Sequence, residues 1–434
     1  MKQAVILAGG KGTRLKEVSG NLPKPMVPVL GKPLLQHLIE QCVEYGITDI
    51  KLLVSYKKEV IEDYFGDGDQ YGATIQYIVE DTPRGTAGAL MDALPELDEQ
   101  FLVVYGDTFF DIDLGSFWIF HQNQAGDASI FLHPNDHPYD SDLVEVNSDF
   151  QVQKIHPYPH DSQWRQNLVN AAVYMFNKNA LQGIDFVSDR PDIAKELFPL
   201  MLESKKKLYG YISTEYIKDM GTPERLSKVE RDINSGKVKS LKKQTSKIAI
   251  FLDRDGTINQ EVNHLSNQEQ FELIDGVDKA ICQINAAGIL AVVVTNQPVI
   301  ARGELKESEL KVIHNKMDTL LGRQGAYLDR LYYCPHHTDS GFEGEIEALK
   351  FDCDCRKPKI GLFIQAKKDL NIVLENSWMI GDSVRDVVAA KNAGMKSILV
   401  QTGYAGKDSS YKATPDFVAK DLSEAVKLVL KEIG

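Results

Sequence analysis

The sequence predicts an α/β protein of two domains, and three observations carry that expectation. The chain has 434 residues, two or three times the usual size of one domain, so more than one hydrophobic core is expected. It opens on an apolar run, Lys2 to Ala8, that meets glycines at once. A second apolar and β-branched run, Ile248 to Leu252, empties into Asp253-Arg254-Asp255-Gly256-Thr257 in the middle of the chain. A short apolar run bounded by a glycine turn reads as a buried parallel strand. Carboxylates just beyond such a strand lie where open α/β sheets carry their sites. A chain that starts such a unit at residue 248 has already finished one domain. The expected division is a domain over 1–235, a linker over 236–247 and a domain over 248–434.

Composition excludes several classes. Hydrophobic residues at 43% and charged residues at 26% are ordinary for a globular protein. A formal net charge of -13 argues against wholesale binding of nucleic-acid backbone, although a locally basic site can still take a small anion. No apolar stretch approaches the roughly 20 residues of a membrane helix. The first apolar run is too short for a signal peptide. Five cysteines, three of them between 334 and 355, do not form the framework of a disulfide-rich protein. The expectation is a cytoplasmic protein with neither nucleic-acid nor membrane partners; a homo-oligomer stays compatible with the sequence.

In chain order, the first strand runs into Gly9-Gly10-Lys11-Gly12-Thr13-Arg14 and toward a helix. Glycines there let backbone N–H groups close around phosphate oxygens, and a helix start adds a favourable field. The turn lacks the Gly-Lys-Ser/Thr ending of a P-loop. Lys24 is held between Pro23 and Pro25, rigid flanks that pre-aim its charge and that a solvated loop lysine would not need. Asp107 follows the apolar run Phe101 to Tyr105, and Asp219 follows a second short apolar segment. Either aspartate alone reads as a cap or turn residue. As a pair from separate strands they are the hard oxygen ligands that Mg²⁺ takes beside phosphates.

Leu7 to Leu15 together with Leu22-Pro23-Lys24-Pro25-Met26 resembles the sugar-1-phosphate nucleotidyltransferase family, and within it the D-glycero-α-D-manno-heptose-1-phosphate guanylyltransferases. Gly85 to Leu90, Gly106 to Leu114 and Asp219 to Pro223 continue the resemblance in order over most of 1–235. It implies a Rossmann-like, GT-A-like domain in which a sugar 1-phosphate attacks the α-phosphorus of a nucleoside triphosphate, GTP favoured, and pyrophosphate leaves. Such a displacement needs positioning and charge neutralisation. The resemblance assigns nucleotide contacts to Leu7, Ala8, Gly9, Gly10, Gly12, Thr13, Glu80, Gly85, Thr86 and Gly88, with Gly85 admitting the base. It makes Arg14 and Lys24 the catalytic cations and places Mg²⁺ on Asp107 and Asp219. One segment departs from the pattern. Relatives carry a Glu-Lys pair before the sugar-binding strand, where this chain has Lys154-Ile155-His156-Pro157-Tyr158-Pro159-His160, followed by a strand with Asn170. Either Lys154 or the histidines take over the sugar-phosphate contact, with Asn170 beside them, or the acceptor pocket has diverged, or transfer is lost. The stretch 133–140, with its histidines and aspartates, matches no metal-ligand spacing and reads as solvated or sugar-contacting.

Residues 236–247 are polar and lysine-rich without an apolar period, and read as an exposed connector. Beyond them, Leu290 to Val294 is a second buried run and ends at Thr295-Asn296-Gln297. Arg356-Lys357-Pro358 supplies cations, and Trp378-Met379-Ile380 leads into Gly381-Asp382-Ser383-Val384-Arg385-Asp386. Between them, Cys334-Pro335-His336 and Cys353-Asp354-Cys355 offer three thiolates and one imidazole, the closed tetrahedral set of structural zinc. Paired one-residue spacings in a charged, glycine-rich loop argue against free core thiols.

These elements, in this order, resemble the haloacid dehalogenase (HAD) superfamily of phosphatases from 248 to about 405. The resemblance implies a HAD-like Rossmannoid domain in which Asp253 is the nucleophile that forms an aspartyl-phosphate and Asp255 the acid and then the base. Thr295 and Lys357 would hold the phosphoryl oxygens. Asp253, Asp382 and Asp255 through its carbonyl would hold Mg²⁺, with Asp386 in support. The zinc loop narrows the likeness to D-glycero-D-manno-heptose 1,7-bisphosphate 7-phosphatases, with the amino-terminal domain of histidinol-phosphate phosphatase as kin. In the heptose branch Asn296, Arg302 and Arg356 become substrate contacts, the two arginines on the distal phosphate. Joined in one chain, the halves imply consecutive steps from heptose bisphosphate to heptose 1-phosphate and then to a nucleotide-activated heptose. The alternatives are another base or sugar, such as ADP- or CDP-heptose, or a degenerate first half that senses sugar nucleotide and regulates the phosphatase.

Overall fold

Aliphatic and β-branched runs become the strands of two separate sheets. The structure, a computed structural model, describes residues 2–10, 20–161, 163–408 and 411–433. The chain divides into a first unit of residues 1–133, 141–159 and 168–242 and a second unit of residues 134–140, 160–167 and 243–434.

In the first unit, Gln3–Leu7 runs parallel to Asp49–Val54 on one side and to Gln100–Tyr105 on the other, and Thr74–Val79 extends the parallel part. Beyond Gln100–Tyr105 the sheet turns antiparallel through Val169–Asn177, which also pairs with Ala128–His133. Val152–His156 forms the far edge against Leu143–Val146. Side-chain alternation about the strands feeds a core on each face. Ala4 and Ile6 pack with Leu38, Ile39 and Phe117, whereas Val5 packs with Phe101, Tyr174 and Phe198. A separate ribbon pairs Thr108–Asp111 with Tyr216–Asp219 antiparallel and sets Asp219 opposite Thr108.

The stretch 236–247 differs from the expected exposed connector. Lys237–Ser240 is a short helix, and Lys237, Val238, Leu241 and Lys247 are buried. Val238 and Leu241 are three apart and give one small apolar face, and lysine stems cover apolar surface while their heads find oxygens. Lys242 reaches Asp111 at 2.9 Å, and the Lys247 ammonium donates to the Thr245 carbonyl at 3.0 Å.

The second unit is built on six parallel strands in the order Arg330–Cys334, Leu290–Asn296, Ala249–Leu252, Trp378–Gly381, Lys396–Val400 and Phe417–Ala419. All the loops after these strands therefore leave from one edge. The helix Glu307–Gly322 buries Leu310, Ile313, Met317 and Leu321, the helical spacing of a core-facing stripe. Two segments from the first half of the chain lie in this unit and pack on that helix. The Thr319 hydroxyl accepts from the Arg165 N–H at 2.9 Å and donates to the Arg165 carbonyl at 3.0 Å. The Asn167 N–H donates to the Asp318 carboxylate at 3.2 Å, and Trp164 lies 5.6 Å from the Lys316 ammonium and 5.3 Å from the Arg323 guanidinium. Gly322 leaves room for Pro138, which a Cβ there would meet at 2.4 Å. No helix among the described residues is long and apolar enough to cross a membrane.

Candidate functional site

In the first unit a cleft of about 290 Å³ opens beside the ends of the parallel strands, lined by Leu7, Gly9, Gly10, Lys24, Glu80, Gly85, Thr86, Tyr105 and Asp107 among others. Pro23 and Pro25 flank the turn Lys24–Met26, and from it Lys24 donates to the Asp107 carboxylate at 2.5 Å. The ribbon brings Asp219 to the same place, and the Met220 N–H donates to the Asp107 carbonyl at 2.8 Å. Asp219 is itself gripped by Arg225 at 2.7 and 2.6 Å. Glu80 lies over Gly9, where a Cβ would come within 3.2 Å of its carboxylate. Burial raises the Glu80 pKa, partly offset by the Arg84 N–H it accepts from.

The expected nucleotide residues divide. Gly12, Thr13 and Arg14 lie outside the described residues. Ala8 is fully buried and donates its N–H to the Leu53 carbonyl at 2.8 Å. Gly85 has φ +74°, and a Cβ there would strike the Pro191 carbonyl at 2.5 Å, so its own backbone packing already requires glycine. Thr86 bonds Asp192 and the Ile193 N–H at 3.0 and 2.9 Å. Gly88 packs under Arg84, and a Cβ would meet the Arg84 Cβ at 2.9 Å. Lys154 sits exposed on the edge strand, and the Asn170 side-chain oxygen Oδ1 accepts from the Ala172 N–H at 3.1 Å across a bulge where Ala172 has φ +57°. Neither is among the residues that line the cleft. Arg225 was not anticipated; it lies a turn into the next helix, and only the ribbon reveals its partner.

In the second unit a cleft of about 380 Å³ lies at the carboxyl edge of the sheet. The Asp253 N–H donates to the Ile380 carbonyl at 3.0 Å, which brings the loops after two neighbouring strands together. Carboxylate oxygens of Asp253, Asp382 and Asp386 all lie within 4.8 Å of one another. Lys357, 1% exposed, stands 3.0 Å from Asp253 and 2.7 Å from Asp386. Burial and the neighbouring carboxylates push Asp382 up to about 8, and burial with Asp253, against Lys357, pushes Asp386 to about 7. Three acids around one lysine leave negative charge uncompensated, a donor set that suits a hard divalent cation. Gly256, at φ +74°, lets its loop close on Asp382, whose oxygen a Cβ would meet at 2.2 Å.

Asp255 stands apart from that triplet. Arg254 grips it with three bonds of 2.9–3.1 Å, and Asn259 and Gln297 donate at 3.0 and 2.9 Å. Burial alone would raise its pKa; Arg254 and the two amides outweigh that and hold it below the usual carboxylate range. Thr295 lines the cleft, and its hydroxyl accepts from Gln297 at 2.9 Å. Asn296 clamps the Lys357 backbone through two bonds of 3.0 and 2.9 Å. Arg302 reaches the His264 ring at 2.5 Å and His337 at 3.3 Å and stacks 4.6 Å from Phe342. Arg356 donates to the His336 carbonyl at 3.2 Å. Arg385, unanticipated in the sequence although it sits between two acids that were, completes a trio of arginines lining one cleft. Among the described residues none of the three has a carboxylate at ion-pair distance.

Beside this cleft, the donor atoms of Cys334, His336, Cys353 and Cys355 converge within 4.8 Å of one another. The three sulfurs are 3.2, 3.2 and 3.5 Å apart, and His336 Nδ1 is 3.1 Å from Cys355 Sγ. The cysteines are free, and thiolates about 2.3 Å from a tetrahedral zinc lie about 3.8 Å apart, close to these separations. Strand register explains part of the convergence, because Cys334 ends its strand directly opposite Asn296.

Comparison with known proteins finds relatives of each half of the chain. The nucleotidyl transferase family model matches residues 3–236, and the HAD-hydrolase-like model matches residues 354–425. The D-glycero-beta-D-manno-heptose-1,7-bisphosphate 7-phosphatase of Pasteurella multocida is 44% identical over 184 residues, which cover 42% of this chain and 97% of the relative. The mannose-1-phosphate guanylyltransferase of Mycobacterium tuberculosis is 33% identical over 235 residues, covering 54% of this chain and 65% of that protein. A crystal structure of HddC from Yersinia pseudotuberculosis complexed with GMP-PN superposes with a TM-score of 0.46 at 30% identity, over 54% of this chain and 100% of that one. The chain thus belongs to the nucleotidyl transferase family through its first half and to the family of the heptose-bisphosphate 7-phosphatases through its second, and is an enzyme in both.

Proposed function

We propose that the second unit removes the 7-phosphate of D-glycero-D-manno-heptose 1,7-bisphosphate and that the first unit transfers a nucleotidyl group to the resulting heptose 1-phosphate. The observation that carries the reading is the trio Arg302, Arg356 and Arg385 in the cleft of Asp253, without carboxylate partners. Like charges brought together without a carboxylate at ion-pair distance favour an anion that stays behind after one phosphate is cleaved. A substrate with a second, distal phosphate supplies it, in keeping with the name of the Pasteurella relative.

In the phosphatase cleft a carboxylate oxygen of Asp253 attacks phosphorus, the bond from phosphorus to the C7 oxygen breaks, and Asp255 delivers the proton to that oxygen. Resting Asp255 is ionised, and an arriving phosphate dianion beside it raises its pKa toward the acid role. Asp255 then takes a proton from the water that hydrolyses the aspartyl-phosphate. Lys357 and Thr295 hold the phosphoryl oxygens. Asp253, Asp382 and the Asp255 carbonyl would hold Mg²⁺, with Asp386 in support beside Lys357; bound there, the ion would offset repulsion between carboxylate and phosphate. Cys334, His336, Cys353 and Cys355 would hold a structural zinc that braces the loop delivering Arg356 and Lys357.

In the first unit Lys24 and the Gly9-Gly10 backbone neutralise and hold the triphosphate, and the heptose 1-phosphate oxygen displaces pyrophosphate from the α-phosphorus. Asp107 and Asp219 would hold the Mg²⁺ that accompanies the phosphates. GTP is the favoured donor, in keeping with the name of the 33%-identical Mycobacterium relative. A cytoplasmic location follows from the need for that substrate. A second reading, a first unit that senses sugar nucleotide, draws on the exposed edge position of Lys154 outside the cleft.

The test is a one-pot assay with Mg²⁺, either anomer of heptose 1,7-bisphosphate and each of four nucleoside triphosphates, following phosphate and pyrophosphate separately. Phosphate release followed by pyrophosphate with GTP is expected. The Pasteurella relative is named for the β anomer, whereas the first half resembles enzymes of the α anomer, so the preferred anomer is part of the result. Phosphate without pyrophosphate would overturn the transfer step in favour of the sensor.

A further inference from the structure

We infer that His314, on the helix Glu307–Gly322 and outside the cleft, is a positioning residue of the phosphatase site, acting on Asp255 through Arg254. The inference rests on the phosphatase reading given above. The Arg254 side chain is 0% exposed, so each of its N–H groups must find a partner inside the protein. Nε and Nη2 are taken by Asp255 at 3.1, 2.9 and 2.9 Å, and Nη2 also reaches the Gln297 side-chain oxygen at 3.1 Å. Nη1 faces His314 Nε2 at 3.1 Å. A guanidinium only donates, so Nε2 accepts, the imidazole is neutral and its proton sits on Nδ1. Burial and the Arg254 charge push the His314 pKa down to about 3, in agreement with that assignment.

The contact has a geometric consequence. A planar guanidinium held at one edge by a carboxylate can still tilt about that edge, and a third acceptor on the opposite nitrogen removes the tilt. The plane of Arg254, together with the amides of Asn259 and Gln297, in turn sets the plane of the Asp255 carboxylate, which must face both the leaving oxygen and the attacking water. His314 is held in place by its helix and lies 5.8 Å from the Tyr333 ring. Nothing in the sequence near Asp253 and Asp255 announces it, because it comes 60 residues later in the chain.

The experiment compares two variants of the full chain, His314→Gln, which keeps an acceptor at similar reach, and His314→Met, which fills the space without one. Phosphate release from heptose 1,7-bisphosphate is measured together with zinc content and nucleotidyl transfer as controls of fold. The Met variant should lose about tenfold in kcat with KM within about twofold, and the Gln variant should recover most of the loss. Unchanged kcat in the Met variant, or equal loss in both, would overturn the role. If the Met chain fails to fold, His314→Ala with added imidazole decides: restored kcat supports the role and no restoration overturns it. A wild-type chain that releases no phosphate overturns the phosphatase reading itself and the role of His314 with it, which sets that failure apart from the others.

Discussion

At the first unit's site Lys24 pairs with Asp107 and Arg225 with Asp219, whereas the second unit's site gathers three acids around one lysine and, among the described residues, three arginines with no acid at ion-pair distance. Among the described residues, the first arrangement pairs each of these aspartates with a cation, so a phosphate or a metal ion that binds there exchanges internal ion pairs for ligand contacts. The second keeps its arginines out of ion pairs and crowds its acids, which burial and mutual repulsion push toward protonation until a cation takes the proton's place. Unbalanced charge weakens the empty fold but rejects substrates that lack the matching groups. The contrast teaches that the phosphatase site is built for selection and needs bracing, which the Cys–His cluster and the Asn296 clamp on Lys357 provide.

The largest expected effect tests that bracing. Cys353→Ser should strip the zinc and unfold or loosen the second unit, since structural zinc contributes on the order of 10 kcal/mol. Zinc content and thermal melting read the outcome, and transfer activity should persist; a fully active zinc-free variant would remove the bracing from the comparison. Next come reciprocal nucleophile and metal-site changes. Asp253→Asn should lower phosphate release by at least about a thousandfold and spare transfer from ready-made heptose 1-phosphate, and Asp107→Ala should do the reverse. Parallel loss of both activities in a folded variant would show the two clefts to be one system. A smaller effect sharpens the selection argument: Arg385→Gln should raise KM for the bisphosphate about 10–100-fold and leave hydrolysis of a simple phosphomonoester unchanged. Equal loss on both substrates would refute a distal-phosphate role.

The smallest effect is a pH dependence confined to the second unit. Burial raises Asp318, on the helix that carries His314, to about 7 from an ordinary 3.8, against the Asn167 N–H that it accepts. The folded state therefore binds a proton that the unfolded state has released, so this contribution is full below about pH 4 and is lost as pH rises through about 7. Asp318→Asn should remove that slope, seen as a melting-temperature difference from wild type that changes by roughly 5 °C between pH 5 and pH 8. Parallel curves for the two proteins would assign the dependence elsewhere.

Much of the candidate phosphatase site was legible because its residues sit in short local patterns at strand ends: Asp253 after Ala249–Leu252, Asp382 after Trp378–Gly381, and one Cys–His and one Cys–Cys pair, each with a single residue between. Arg385, His264 and His314 were not, since their meaning depends on which loops the parallel sheet brings to one edge. The same holds for Arg225, whose partner is set by the Tyr216–Asp219 ribbon. Residues 236–247 misled because lysine content hid the small apolar face of Val238 and Leu241. The His- and Pro-rich stretches were read as sugar-contacting or solvated, yet residues 134–140 and 160–167 pack with the second unit. Their partners on Glu307–Gly322 lie some 150 residues away, beyond any local periodicity.

That placement bears on how such a gene can be divided. A phosphatase cassette excised at codon 243 would carry Asp318 and Thr319 without the backbone of Arg165 and Asn167, and Gly322 without Pro138. Recombination that swapped the first half for another transferase would strip the same cover from the helix that steadies Arg254. A swap that leaves the phosphatase whole would therefore have to keep residues 134–140 and 160–167 together with residues 243–434.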